Sequence, residues 1–365
     1  MTRGLGVLDN SGDNTNHGYW GAPAAAPAAA PAAAPAAAPA AAPAAAPAAA
    51  PAAAPAAAAA PAAAPAAAPA PCCVYSSFSL ALETVVIEIP IPINSEDDII
   101  KLYSEVLNDD KDIKLAIVDH ITSASAILMP VKRIAELCHM NGVMVLVDGA
   151  HVPGQIPLHM EDLGVDFYCG RLLCRIVHFP DRTTSDKDEI YTSGTPRGCA
   201  FLWVQPDYKD VISPVTTSHY QNEPTLMKRF CFVGTRDCLP YYLAETSIKF
   251  YNDLGGMEEI VAYNSTLASW AADMISKALN TEKLQIPVGM RAPCMALVAI
   301  PETSLYTASA ETCSRLMSDL YKQSQVFVAF SYFKQRLWCR ISSQVYNCKE
   351  DYIRLRDALL EVLQL

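Results

Sequence analysis

From Thr84 onward, apolar and polar positions switch repeatedly between a strand period near two and a helix period near 3.6. Thr84–Ile91, TVVIEIPI, is a β-branched run closed by Pro90 and Pro92, and it predicts a strand. Ser95 followed by Glu96, Asp97 and Asp98 reads as a helix start, with a capping residue and acids at the positive end of the helix dipole. Ile99, Ile100, Tyr103, Val106 and Leu107 then recur at helical spacing as one buried stripe. Lys114–His120, KLAIVDH, is the next strand. Pro130 opens a second helix, with Val131, Ile134 and Cys138 inward and Asn141-Gly142 as its cap. That helix leads into Val143–Val147, a short continuous apolar run that reads as a strand buried on both faces. Strand, helix and parallel strand make a crossover unit, expected to be right-handed.

Beyond this unit, PGQIPLHMEDLGVDFY predicts a short helix and then a strand at Val165–Cys169. Gly198–Val204, GCAFLWV, is a further buried strand. Leu239–Leu254 and Met257–Leu279 read as two helices parted by Gly255-Gly256, the second a connector to a smaller carboxyl-terminal domain. That domain contains strands at Cys294–Ile300, Val326–Phe330 and Leu337–Ile341, and helices at Ala308–Gln323 and Asp351–Leu363. Alternating β and α elements in front, with a smaller mixed unit behind, predict an α/β fold: a mostly parallel sheet flanked by helices plus a smaller α+β domain.

The front of the chain has a different composition. Residues 1–21 are polar, rich in Gly and Asn and without periodicity, which predicts disorder. Residues 22–71 are only Ala and Pro, mostly in a Pro-Ala-Ala-Ala period. Proline at every fourth position removes amide donors and obstructs helix, so this tract reads as an extended spacer biased to polyproline II. As nothing folded is expected before it, it is read as dispensable low-complexity sequence or a faulty gene model, with a functional linker as the alternative. It inflates the hydrophobic fraction of 52% without supplying side chains that pack. The core must come from residues 74–365, ample for two domains: a partial large domain over 74–254 and a connecting helix with the small domain over 255–365.

Charge and cysteine usage narrow the function classes. The net charge of −11 and the lack of a basic stripe argue against nucleic acid as a partner. Twelve cysteines without a C-x-x-C pair read as buried free thiols of a reducing compartment, with neither a zinc site nor a disulfide framework. The amino terminus has no apolar h-region, and no proline-free run is long and apolar enough to cross a bilayer. The expectation is a cytoplasmic protein that does not enter the membrane.

The chemistry concentrates where the strand Val143–Val147 ends, in Asp148-Gly149-Ala150-His151. Two ionisable groups sit just past the carboxyl end of a buried strand, the edge at which open α/β sheets bind ligands. Around them run LAIVDHITSASAILMP, VLVDGAHVPGQIPL, LGVDFYCG, PRGCAFLWV, VGTRD and RISSQVYN. In that order, from Thr84 to the carboxyl terminus, these motifs resemble class V aminotransferases. These are pyridoxal 5'-phosphate (PLP) enzymes of fold type I, and the likeness is to their isopenicillin N epimerase-like and cysteine desulfurase-like branch. The resemblance implies a PLP-dependent transferase fold, an amino acid as substrate, lyase, transferase or epimerase chemistry, and a homodimer.

Residue by residue, the resemblance implies that Asp148 pairs with the protonated pyridine nitrogen, keeping the ring an electron sink. His151 would lie against the ring and its phenolic oxygen, and His120 would face the pocket beside it. Gly234-Thr235 matches the turn whose amide and hydroxyl reach the cofactor phosphate of the neighbouring subunit. Arg340 matches the arginine that grips the substrate carboxylate through paired hydrogen bonds.

The chain departs from the family at two places. Where the family carries Asn-Leu-His-Lys-Trp, this chain has RLLCRIVHFPDRTTSDKDEIYTSGT, an aberrant insert over 171–195, before Pro196-Arg197-Gly198. Its only lysine, Lys187, is surrounded by acids that raise an amine's pKa, whereas a lysine that couples to the cofactor benefits from a lowered one. The lysine that would act in catalysis is therefore read as missing. At the front, the family's first strand, phosphate loop and ring-stacking residue are read as replaced by the Ala/Pro tract. The alternative to a PLP enzyme is a catalytically inactive pseudoenzyme, or a truncated or mis-spliced product.

Overall fold

The computed structural model of the chain describes residues 3–9, 83–171 and 198–365. The expected spacer over 22–71 and nearly all of the insert over 171–195, Lys187 included, lie outside them. A six-stranded sheet forms from β1 (Arg3–Asp9), β2 (Glu83–Ile89), β3 (Ile113–Asp119), β4 (Met144–Asp148), β5 (Phe167–Arg171) and β6 (Ala200–Val204). The order is β2-β1-β3-β4-β5-β6, parallel throughout except for the antiparallel β6.

The sheet overturns one expectation. Residues 1–21 read as disordered, yet Arg3–Asp9 is a strand, with Leu5 opposite Val85 on one side and Ala116 on the other. Seven residues interrupted by two glycines carry no legible period. What orders them is backbone pairing with two neighbouring strands at once, which only the tertiary fold supplies. The position between β2 and β3 is thus filled by the chain's own amino terminus rather than lost to the Ala/Pro tract. Because the parallel order reverses between β1 and β3, the crevice past their carboxyl ends is the topological switch point, where α/β sheets bind ligands.

Helices α1 (Glu96–Asp109) and α2 (Val131–Met140) cover the sheet. The start of α1 is fixed by Asp98, whose Oδ2 accepts the Asn94 and Ser95 amides at 2.8 and 3.3 Å. Its buried stripe is Ile99, Tyr103 and Leu107, at helical spacing, packed with Ile87, Ile89, Val145 and Val147 in one core. The short α3 (Met160–Leu163) ends at Gly164 with φ 64°, then β5 begins.

After β6 come α4 (Leu226–Cys231), α5 (Leu239–Tyr242) and α6 (Ala244–Asp253); the single helix expected over Leu239–Leu254 is broken at Leu243. Gly255 and Gly256, at φ 102° and 71°, separate α6 from α7 (Gly256–Ala278). The smaller unit is an antiparallel sheet, β7-β9-β8, of β7 (Met295–Ile300), β8 (Ala329–Phe333) and β9 (Arg336–Ser342). With α7, α8 (Ala310–Ser324) and α9 (Lys349–Leu363) it encloses a second core around Ile275, Leu316, Leu337 and Leu359. β8 starts three residues later than Val326 and runs to Phe333, where Lys334 and Gln335, at φ 49° and 57°, form a two-residue hairpin turn without the glycine that usually marks one.

Candidate functional site

Asp148 is the last residue of β4, half-buried, at the carboxyl edge of the sheet. Its Oδ1 accepts the Ala150 amide at 2.9 Å, a local turn that holds the carboxylate beside its own strand end. The next residue has to be glycine, because a Cβ on Gly149 would lie 2.1 Å from the Tyr168 phenol oxygen. Tyr168, on β5, is fully buried and stacks on Phe201 with ring centres 6.0 Å apart and planes at 6°. Its burial pushes the phenol pKa up, so the hydroxyl keeps its proton.

His120 follows β3 directly. Its amide donates to the Asp148 carbonyl at 2.8 Å, and its own carbonyl accepts from Met129 at 2.9 Å. Its Nδ1 lies 3.1 Å from the Tyr168 hydroxyl, edge-on to that ring. Burial pulls the His120 imidazole down to about 4, so it is neutral at neutral pH. The edge therefore carries a carboxylate and a neutral imidazole on adjacent strands, with the imidazole held by a protonated phenol.

Beyond His120 the chain turns tightly. Thr122 donates its amide to the Ile127 carbonyl at 2.9 Å and accepts the Ile127 amide on Oγ1 at 2.8 Å. Inside this loop, Ser123 receives Arg340 from β9: the Arg340 Nη1 donates to the Ser123 carbonyl and to its hydroxyl, the latter at 3.2 Å. A guanidinium from the small domain is thereby tied to the loop that follows His120.

Asp148, His120 and Arg340 are thus organised around neighbouring segments. His151 is in the turn just past Asp148, half-buried, with its carbonyl accepting from Gln155. Thr235 is on a different segment, exposed in the stretch between α4 and α5, where Gly234 takes φ 121°.

Three contributors carried no sequence signal. Tyr168 reads as an ordinary strand residue, and Ser123 as one of several small polar residues in a loop. Gln155 is buried, accepts the Cys294 amide at 3.1 Å and donates to the His151 carbonyl, so it ties the Asp148 turn to the chain entering β7. A lone Gln past a Pro-Gly pair could have been suspected only as a buried amide in need of partners.

The donor set suits the ring end of a PLP molecule. A carboxylate answers a protonated ring nitrogen, a neutral imidazole can lie beside an aromatic ring, and a guanidinium answers a carboxylate. Lys187, the only lysine between Gly170 and Pro196, lies outside the described residues.

Residues 84–170, which hold Asp148, His120, His151 and Tyr168, match the family model for aminotransferase class-V. The chain is 30% identical over 309 residues to an L-cysteine desulfhydrase of Arabidopsis thaliana, covering 77% of this chain and 62% of that protein. It is 24% identical over 251 residues to isopenicillin N epimerase of Streptomyces clavuligerus, covering 67% and 59%. The chain thus spans about three-fifths of the length of these relatives. Among solved structures, the apo cysteine desulfurase of Thermococcus onnurineus NA1 superposes with a TM-score of 0.59 at 15% identity, covering 80% of this chain and 68% of that one. That likeness establishes the architecture as fold type I, a mixed and mostly parallel sheet with flanking helices. With the matched stretch bearing its acid on the carboxyl edge of such a sheet, the chain belongs to the class V aminotransferase family.

Proposed function

We propose that this protein is a PLP-binding member of the cysteine desulfhydrase-like and desulfurase-like branch, and that it binds a small amino acid without coupling the cofactor to a lysine of its own. The observation that carries the reading is the backbone pairing of Asp148 with a buried neutral His120 at the carboxyl edge of the sheet, with Arg340 anchored on the adjoining loop. When bound, PLP supplies an electron-withdrawing ring for carbanion chemistry at an amino acid's α-carbon. Asp148 would hold the ring nitrogen in its protonated form, His120 and His151 would lie beside the ring, and Arg340 would take the substrate carboxylate in a fork geometry.

The second reading is a catalytically inactive pseudoenzyme, favoured by the stretch between Gly170 and Pro196, where Lys187 stands alone among acidic neighbours. Thr235 supports a homodimer in either case. In sequence it is flanked by Met227, Phe232, Leu239 and Tyr242, exposed apolar residues that burial against a second copy would suit, and there Thr235 would offer its hydroxyl. No helix among the described residues is long and apolar enough to cross a membrane, and we place the protein in the cytoplasm on its free thiols.

The test is titration of the purified chain with PLP, followed by absorbance, then borohydride reduction and peptide mapping. Reversible binding that Asp148→Ala weakens, with no pyridoxyl mark on Lys187, is the expected result. A mark on Lys187 would overturn the non-covalent reading, and absence of binding would leave the pseudoenzyme without a cofactor.

A further inference from the structure

The loop that anchors Arg340 through Ser123 also lends Ser125 and Ala126 to a cavity of about 320 Å³ between α7, β7 and the segment 283–293. None of Asp148, His120, His151 and Arg340 lines it. Its size lies at the lower end of the range of small-molecule sites, and its plan is theirs: an apolar floor with few polar groups at the rim. The floor is made by buried Ala268, Ala272, Leu284, Met295 and Leu297. The rim carries the exposed Ser269 and Arg291, and the half-buried Lys283.

The two cations at this rim differ. Lys283 is paired with Asp273. Arg291 reaches the Ile286 carbonyl at 3.4 Å and has no carboxylate partner among the described residues. A guanidinium without an acid, above a pocket of methyl and methylene groups, is complementary to a molecule with one anionic end and an aliphatic body. A purely polar anion would leave the floor uncovered, and a neutral hydrocarbon would leave the guanidinium unanswered.

We propose that this cavity binds a small aliphatic carboxylate, its chain on the floor between α7 and β7 and its head group on Arg291. Such a ligand shares a wall with the loop that anchors Arg340, yet the site stands independently of any cofactor chemistry.

Calorimetry on the full chain with octanoate, octanamide and hexanoate tests it. Octanoate binds one to one. Hexanoate binds about tenfold more weakly, for the two methylenes it no longer buries, and octanamide at least about tenfold more weakly, for the lost charge. Arg291→Ala reproduces the octanamide loss, Arg291→Lys keeps most of the affinity, and Ser269→Trp blocks the mouth. Positions 269 and 291 are both exposed, so the variants keep their fold, which melting curves check. Three results would overturn the site: no saturable octanoate binding, equal affinity for octanamide, or octanoate binding unchanged in both Arg291→Ala and Ser269→Trp. The last would assign the binding to apolar surface elsewhere.

Discussion

The His120 imidazole and the Tyr168 phenol meet at 3.1 Å under the carboxyl edge of the sheet, and Tyr168 also occupies the space that a side chain on Gly149 would need. A neutral histidine, a protonated tyrosine and a glycine thus form one packed unit behind Asp148. Its members are drawn from three adjacent strand ends, so the acid's position depends on all of them.

The histidine gives this unit a pH signature. Its ordinary pKa is 6.5 and burial lowers it to about 4 in the folded chain, so the unfolded chain binds the proton more readily between those values. The stability it contributes is full above pH 6.5 and is lost as pH falls toward 4, by about 3 kcal/mol in all. Urea melts between pH 4 and 7 should show this slope, and His120→Gln should remove its share. An identical slope in that variant would place the titration elsewhere.

Gly149→Ala should destabilise the fold by about 1–3 kcal/mol, since the new Cβ would collide with a stacked ring in a close-packed core. Tyr168→Phe should not rescue it, because ring carbons Cε1 and Cζ lie 2.2 and 2.3 Å from that Cβ position. Tyr168→Leu should relieve part of the penalty, making the pair non-additive. Strict additivity in denaturant melts would refute the contact.

Gln155→Leu should cost about 1–3 kcal/mol, because it strips an acceptor from the amide of the buried Cys294. The loosened join is between the Asp148 turn and the chain entering β7. Hydrogen exchange at Cys294 should therefore quicken more than exchange in β8. Uniform quickening would mean general destabilisation instead.

Asp148→Ala and Arg340→Ala should separate cofactor from substrate. The first should weaken PLP binding by about tenfold or more while sparing the guanidinium. The second should leave PLP affinity within about twofold and weaken amino-acid binding to the PLP-loaded chain by about tenfold. Calorimetry with each ligand distinguishes them, and equal losses on both ligands would mean that the two side chains only stabilise the edge.

The sequence by itself determined the elements whose own residues enforce them. The stripe Ile99, Tyr103 and Leu107 can bury only as a helix face, and Val143–Val147 can satisfy its apolar run only inside a sheet. Asp148 stood out for a related reason, as an ionisable group where a buried strand stops, whereas His120 was singled out only through the family resemblance. Nothing local announced β1, whose glycine-broken run is ordered by two neighbours distant in sequence. The Lys334-Gln335 turn was hidden because the strands on either side impose its positive φ angles on residues that seldom choose them. Likewise Tyr168 behind His120, Ser123 beneath Arg340 and Gln155 between the Asp148 turn and β7 are contacts across 48, 217 and 139 positions. Periodicity reports which face a residue turns to, whereas the partner it meets there is decided by how strands and domains pack, which only the tertiary structure holds.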